Sequence, residues 1–295
     1  MVQQFKRLFS FITNHPLSKR KPISAIIRII IWQIQSSICK KLIIKTFAGK
    51  VLFYAKKGLH GITGNIYAGL HEFNDMGFLL HFLRTEDKFC DIGANVGAYT
   101  LLASGYIGAK SIAFEPVPST FSILEKNILL NQLQKKVTLY NKALGNQNGE
   151  IKFTVDYDTV NHAIAENEFE KISINVKMEQ LDNFIDYEPI LLKIDVEGFE
   201  REVIKGGKEL LDRETTKAII IELNGSGERY NFRDQDIHHY LKTVGFAPYL
   251  YDPFTRIFTE IEYFGKHNTI YIKDINFAKI RCERAPKVRV LGVKF

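Results

Sequence analysis

Residues 88–100 read KFCDIGANVGAYT. The run opens as a strand over Lys88–Ile92, turns at Gly93 and continues as a helix over Val96–Tyr106. A strand that feeds a helix through a glycine turn lets a ligand approach backbone N–H groups at the helix N-terminus. The same rhythm continues outward. Ser111–Phe114, Val137–Ala143, Pro189–Ile194 and Ala218–Leu223 read as strands; Ser119–Asn131, Glu200–Leu211 and Asp234–Val244 read as helices between and after them. Alternating β and α predicts an α/β fold with a mostly parallel sheet covered on both faces. Ala247–Tyr251 and Asn268–Lys273 have no helix between them, which predicts a closing antiparallel hairpin. The turn-rich Gly145–Gly149 stretch predicts another hairpin into Ile151–Val155.

Upstream of the quoted run, residues 72–83 have helical spacing, with Phe73, Met76, Leu79, Leu80 and Leu83 on the apolar face. Val51–Ala55 reads as a short strand, and the glycine-rich stretch from Gly58 to Gly69 as turns. The 295 residues are 45% hydrophobic and 25% charged, which excludes collagenous, low-complexity and wholly disordered chains. The net charge of +7 is unevenly placed. Residues 1–71 hold 12 Lys/Arg and no acid, and residues 275–295 hold six basic residues and one acid, Glu283. Residues 72–274 are left with 22 basic and 32 acidic residues, so a nucleic-acid groove across the core is disfavoured. Cys39, Cys90 and Cys282 are scattered and odd in number, which fits a reducing, cytoplasmic setting and no zinc knuckle.

Residues 23–45 are apolar with interspersed cations and too interrupted to span a bilayer. The spacing favours a helix entered after Pro22, its isoleucines on the core and Arg28, Lys40, Lys41 and Lys45 in water. The alternative is a basic amphipathic helix lying on an anionic membrane.

Three motifs carry chemistry. In the first, Asp91–Gly97, a dinucleotide fingerprint would need glycine where Asn95 stands. That glycine lets backbone meet a pyrophosphate, and a ligand without one, such as S-adenosylmethionine, does not require it. In the second, Glu115-Pro116-Val117-Pro118, the acid closes a strand one βα repeat after Asp91, where a carboxylate can accept two ribose hydroxyls. In the third, Lys193 and Asp195 share one face of a strand, and a lysine inside an apolar strand requires a partner.

Together these stretches resemble the FkbM family of S-adenosylmethionine-dependent methyltransferases. The likeness lies in DIGANVGAYT (91–100), FEPVPSTFSILEKNILLN (114–131), ALGNQNGE (143–150), MEQLDNFI (178–185) and LLKIDVEGFEREVIKGG (191–207). The resemblance implies the class I, Rossmann-like methyltransferase fold, with seven strands and the last antiparallel. It covers roughly residues 60–225; together with the charge distribution this gives an expected division into a basic amphipathic extension (1–50), a methyltransferase domain (51–274) and a basic tail (275–295). Cofactor binding falls to Asp91, Gly93, Ala94, Asn95, Gly97, Tyr99, Thr100, Glu115, Pro116, Ala143 and Leu144. His71 and Glu72 precede the loop, placed to reach the cofactor or the acceptor. The implied reaction is O-methylation of a small-molecule or glycan hydroxyl, without nucleic acid. Asp195, Lys193, Glu197 and His71 are the catalytic candidates: Asp195, Lys193 (if burial lowers its pKa) and His71 as bases, with Glu197 beside them. A cation held by Asp195, Glu222 and Asn224 ranks below the metal-free scheme. A nicotinamide-dependent oxidoreductase and a non-catalytic, cofactor-binding or membrane-associated protein are the rival classes.

Overall fold

Short, mostly apolar runs such as Leu191–Ile194, interrupted by Lys193, and Ala218–Glu222, closed by Glu222, are long enough for a buried strand and too short for a helix. The computed structural model describes residues 13–154, 161–164, 172–265 and 267–295. The chain begins with α1 (Pro22–Ile38), the hairpin β1 (Ile43–Thr46) and β2 (Leu52–Ala55), α2 (His60–Ala68) and α3 (Phe73–Phe82). Next come β3 (Lys88–Ile92), α4 (Ala98–Thr100) running into a π-helical segment (Leu101–Ile107), β4 (Lys110–Phe114), α5 (Pro118–Leu130) and β5 (Val137–Tyr140). A small sheet follows, made of β6 (Ala143–Leu144), β7 (Gly149–Thr154) and β8 (Ser173–Glu179). Then come β9 (Leu191–Ile194), α6 (Glu200–Lys205), α7 (Lys208–Asp212), β10 (Ala218–Glu222) and α8 (Asp234–Thr243). The chain closes with β11 (Ala247–Asp252), β12 (Ile257–Glu260), β13 (Asn268–Ile272), α9 (Ile275–Arg284), β14 (Arg289–Val290) and β15 (Val293–Lys294).

Among the described residues the large sheet has eight strands in the order β12-β11-β13-β10-β9-β3-β4-β5. The run from β10 to β5 is parallel, and β13 lies antiparallel between β10 and β11. This is the class I methyltransferase arrangement with one strand more than the expected seven. The extra strand, β12, pairs only with β11 and is largely exposed, so it carries no core pattern of its own. Alternation along each strand feeds two cores. Phe89, Leu191 and Ile220 face α3 and its neighbours, while Cys90, Leu192, Ile194 and Ile221 face the α6–α8 side.

Several local expectations are corrected. The Gly58–Gly69 stretch is mostly helix, α2, and its Gly64 serves packing, since a Cβ there would collide with the His71 ring. Leu144 and Gly149 do not close a simple hairpin; β8 takes the centre of the small sheet, parallel to β6 and antiparallel to β7. The helix expected over 200–211 breaks at Gly206-Gly207, where a Cβ on Gly206 would strike the Gly145 carbonyl. A boundary at residue 50 would cut the β1–β2 hairpin, and the C-terminal segment ends on Val288, Val290 and Phe295, all buried.

The largest reversal concerns α1. Its buried side chains are Ala25, Ile29, Trp32 and Ser36. Ile23, Ile26, Ile27, Ile30, Ile31, Ile34 and Ile38 are exposed. Arg28, expected in water, turns inward and donates from Nε and Nη2 to the Tyr67 carbonyl at 3.2 and 2.8 Å.

Candidate active site

β3, β4 and β9 are parallel, so the loops after them open at one edge of the sheet, as ligand-binding loops do in this architecture. They line a cleft. Gly93 has φ +77, and a Cβ there would collide with the Asp195 carbonyl, so the first and third loops meet backbone to backbone. The Asp195 N–H donates to the Ile92 carbonyl at 3.0 Å, which ties the same two loops.

The first loop leaves no N–H for a phosphate. Gly93 and Ala94 donate to the Phe114 carbonyl, and Gly97 donates to the Ala94 carbonyl. Asn95 donates its backbone N–H to Glu115 Oε2 at 3.0 Å. Its own Oδ1 accepts the Val96 N–H at 2.8 Å, with Asn95 held left-handed at φ 52. Asparagine is among the few residues that tolerate that conformation. The backbone donors expected to face a ligand are therefore consumed inside the loop.

Glu115 is buried, and its Oε1 accepts the Val117 N–H at 2.9 Å. Burial pushes its carboxyl up to about 7 despite these two bonds. Asp91 is also buried; its Oδ2 accepts the Thr100 N–H at 3.0 Å and the Thr100 hydroxyl at 2.5 Å. Burial raises Asp91 to about 6. The strand register sets Asp91 directly beside Lys193.

Lys193 is 2% exposed and donates to Asp195 Oδ2 at 2.9 Å and Asn268 Oδ1 at 3.1 Å. Burial alone would lower its pKa, but Asp195 and Glu72 outweigh burial and raise it, so Lys193 is held as an ammonium. The base role that needed a lowered pKa does not fit this environment. Asn268 passes the network on, donating to Glu72 Oε1 at 2.5 Å, and Glu72 Oε2 accepts the Tyr99 hydroxyl at 2.8 Å. Burial and the Asp195 charge raise Glu197 to about 7 and Glu222 to about 9. Among the described residues no three His, Cys, Asp or Glu side chains form a metal-binding group.

The cleft brings together Asp195, Lys193, Glu197 and His71 with Glu72, Asp91, Gly93, Ala94, Asn95, Tyr99, Glu115, Pro116, Ala143 and Leu144. Gly97 and Thr100 stand behind it. Gly97, at φ +94, gives room to Leu124, and Thr100 holds Asp91 from below. Two further lining residues have no motif around them. Lys142 donates to Glu179 Oε1 at 2.5 Å. Asn65 accepts the His71 N–H on Oδ1 at 2.8 Å, while its Nδ2 is buried without a partner. Asn65 lies in the glycine-rich stretch, where only a helical reading would have aligned it with Gly61 on one face.

Comparison with known proteins identifies the family. The model of the methyltransferase FkbM domain matches residues 91–248. The chain belongs to the FkbM methyltransferases. It is 29% identical over 154 residues to the hexuronic acid methyltransferase AglP of Haloferax volcanii, covering 50% of this chain and 59% of that one. It is 29% identical over 150 residues to Methyltransferase 1 of Beauveria bassiana, covering 41% and 59%. The chain thus spans about three fifths of the length of these relatives. A crystal structure of an FkbM methyltransferase from Methylobacillus flagellatus aligns with a TM-score of 0.46 at 14% identity, over 74% of this chain and 55% of that one.

The methyl donor of an FkbM enzyme is S-adenosylmethionine, and the cleft fits it. Glu72, Asp91, Glu115, Asp195 and Glu197 line it, and the two lysines among its described lining residues are already paired, Lys193 with Asp195 and Lys142 with Glu179. An acidic cleft suits a sulfonium and an ammonium and repels a pyrophosphate. The unpartnered Asn65 Nδ2 offers a donor for a carboxylate.

Proposed function

We propose that this FkbM enzyme methylates a hydroxyl oxygen of a sugar, glycan or secondary metabolite, with Asp195 taking the hydroxyl proton. The observation that carries this reading is the Lys193–Asp195 pair: the lysine is sealed in the sheet, while the Asp195 side chain keeps 31% exposure at the cleft. A carboxylate held at 2.9 Å by a fixed ammonium has one orientation to offer an incoming hydroxyl. The bound S-adenosylmethionine supplies an electrophilic methyl group. Glu115 presents two carboxylate oxygens, each with a lone pair left after its backbone bond, for the vicinal ribose hydroxyls. Asn65 Nδ2, buried without a partner, would donate to the carboxylate end, and Ala143 and Leu144 would offer apolar surface to the base. Glu72, fixed by Tyr99 and Asn268, would hold the ammonium end. In the transfer the acceptor hydroxyl would give its proton to Asp195 Oδ1 and bond the methyl carbon while the sulfur–methyl bond breaks, its electron pair staying on the sulfur; His71 and Glu197 line the same cleft.

The likeness to a hexuronic acid methyltransferase supports a sugar acceptor. The test is incubation with methyl-labelled S-adenosylmethionine and uronic-acid oligosaccharides, followed by mild alkali. A methyl ether retains its label. Release of the label as methanol would indicate a carboxyl ester and overturn hydroxyl methylation.

A further inference from the structure

We infer that α1 is a membrane-surface anchor, which lays its isoleucine face into the headgroup boundary of an anionic bilayer. At about 100° per residue, the exposed isoleucines fall within about 140° of the helix circumference. Ala25, Ile29, Trp32 and Ser36 occupy an arc centred on the opposite side and seat the helix on α2. The outward face is far more apolar than a water-facing helix requires: Ile23 is 73% exposed, Ile34 55% and Ile38 80%. Scattered exposed apolar residues are ordinary on a soluble protein; a stripe of isoleucines along a 17-residue helix, broken only by Ser37, marks an interaction surface.

Charge selects the occupant. Exposed cations stand at both ends of the stripe: Lys19, Arg20 and Lys21 before the helix, and Lys40 and Lys41 after it. The basic C-terminal hairpin adds to the first group, since Lys21 reaches Gly292, between Arg289 and Lys294. Residues 1–71 contain no Asp or Glu. A second copy docked on this face would set these cations against each other, parallel or antiparallel, with no acid of the segment to neutralise them. An anionic lipid surface neutralises all of them and takes up the isoleucines together. No described helix is long and apolar enough to cross a membrane, so the helix lies on the bilayer. The acidic body, residues 72–274, is repelled by the same surface, which fixes which side faces it.

The test is flotation of the full-length protein with vesicles of equal parts phosphatidylglycerol and phosphatidylcholine, against phosphatidylcholine alone. The protein is expected to float with the anionic vesicles at low salt, about tenfold less with neutral ones, and to lose binding as salt rises toward about 0.5 M. The double variant Ile30→Glu, Ile34→Glu changes only exposed side chains. It should keep the melting temperature and cofactor affinity while losing at least about tenfold in vesicle binding. Lys40→Glu, Lys41→Glu should lower binding to anionic vesicles without touching the stripe. Wild-type protein that stays at the bottom of the gradient at low salt overturns the proposal, as does a double variant that floats like wild type. A wild-type dimer, seen by light scattering and split by the isoleucine variant, would assign the face to a second copy and also overturn it.

Discussion

Replacing Asp195 with Asn separates a proton acceptor from a structural counter-ion. The substitution keeps shape and leaves an amide oxygen that can still accept from Lys193 Nζ. Lys193 also keeps its bond to Asn268 Oδ1 at 3.1 Å. What is lost is the charge, at a side chain 31% exposed and therefore partly screened. The stability cost is about 1–2 kcal/mol, a melting shift of a few degrees in a chain of this size. The neutral amide cannot take a proton, so turnover should fall by about 10²–10⁴, or about 3–5 kcal/mol in the barrier. Cofactor affinity should stay within about threefold, because Glu115, Asn65 and the Asp91–Gly97 loop are untouched. Initial rates with labelled S-adenosylmethionine, a thermal melt and calorimetry on one preparation give all three quantities. A variant that melts early yet turns over at the wild-type rate per folded molecule would refute proton transfer to Asp195. It would reduce the pair to neutralisation of a buried lysine.

Glu115→Ala should weaken S-adenosylmethionine binding by about 1–3 kcal/mol, read by calorimetry; unchanged affinity would remove Glu115 from the ribose role. Asn65→Asp keeps the acceptor for the His71 N–H but replaces the free donor with a charge, so affinity should drop about tenfold or more, with the fold retained by circular dichroism. Asp91, Glu115 and Glu197 are raised to about 6, 7 and 7, so the folded, ligand-free protein binds more protons than the unfolded chain from the ordinary carboxylate range up to those values. Its stability should therefore fall as pH rises through about 4.5 to 7, which melts across that range would show. A cationic ligand favours the ionised carboxylates, so binding at pH near 6.5 should release protons; calorimetry in two buffers of different ionisation enthalpy that shows uptake instead would contradict this.

The sheet was legible because its central strands are short, mostly apolar runs and helices such as Phe73–Phe82 carry helical apolar spacing. The site was legible where a local rule was broken: Asn95 in a glycine position and Lys193 inside an apolar strand. Other features are settled at long range. β8 carries period-two signal in Ile174, Val176 and Met178, but its place between β6 and β7 is a pairing choice that no local pattern encodes. α2 contains glycines that argue against a helix, and packing against His71 overrides that propensity. Asn268 reaches Glu72 across 196 positions of sequence, so nothing near either residue announces the contact. On α1 the amphipathic pattern was plain, yet the inward face is the one that carries Ala25 and Trp32, because close packing on Tyr67 favours a small residue beside a large flat one over a row of isoleucines.

The choice between a dinucleotide and a sulfonium ligand turns on the same few atoms. A pyrophosphate site needs free N–H groups at the first helix and a positive field. Here the donors of Gly93, Ala94, Asn95, Val96 and Gly97 are all bonded within the loops, two of them through the Asn95 side chain and the Glu115 carboxylate. Asn95 thus does more than lack a glycine's freedom: its Oδ1 closes the donor that a phosphate would take. With the loop sealed, what faces the cleft is carboxylate, and Lys193 and Lys142 are neutralised in place. Such a surface attracts a ligand with positive charge at its reacting centre. Loss of that charge on methyl transfer then weakens the attraction, so the acidic lining that favours binding of the donor also favours departure of its neutral-sulfur product.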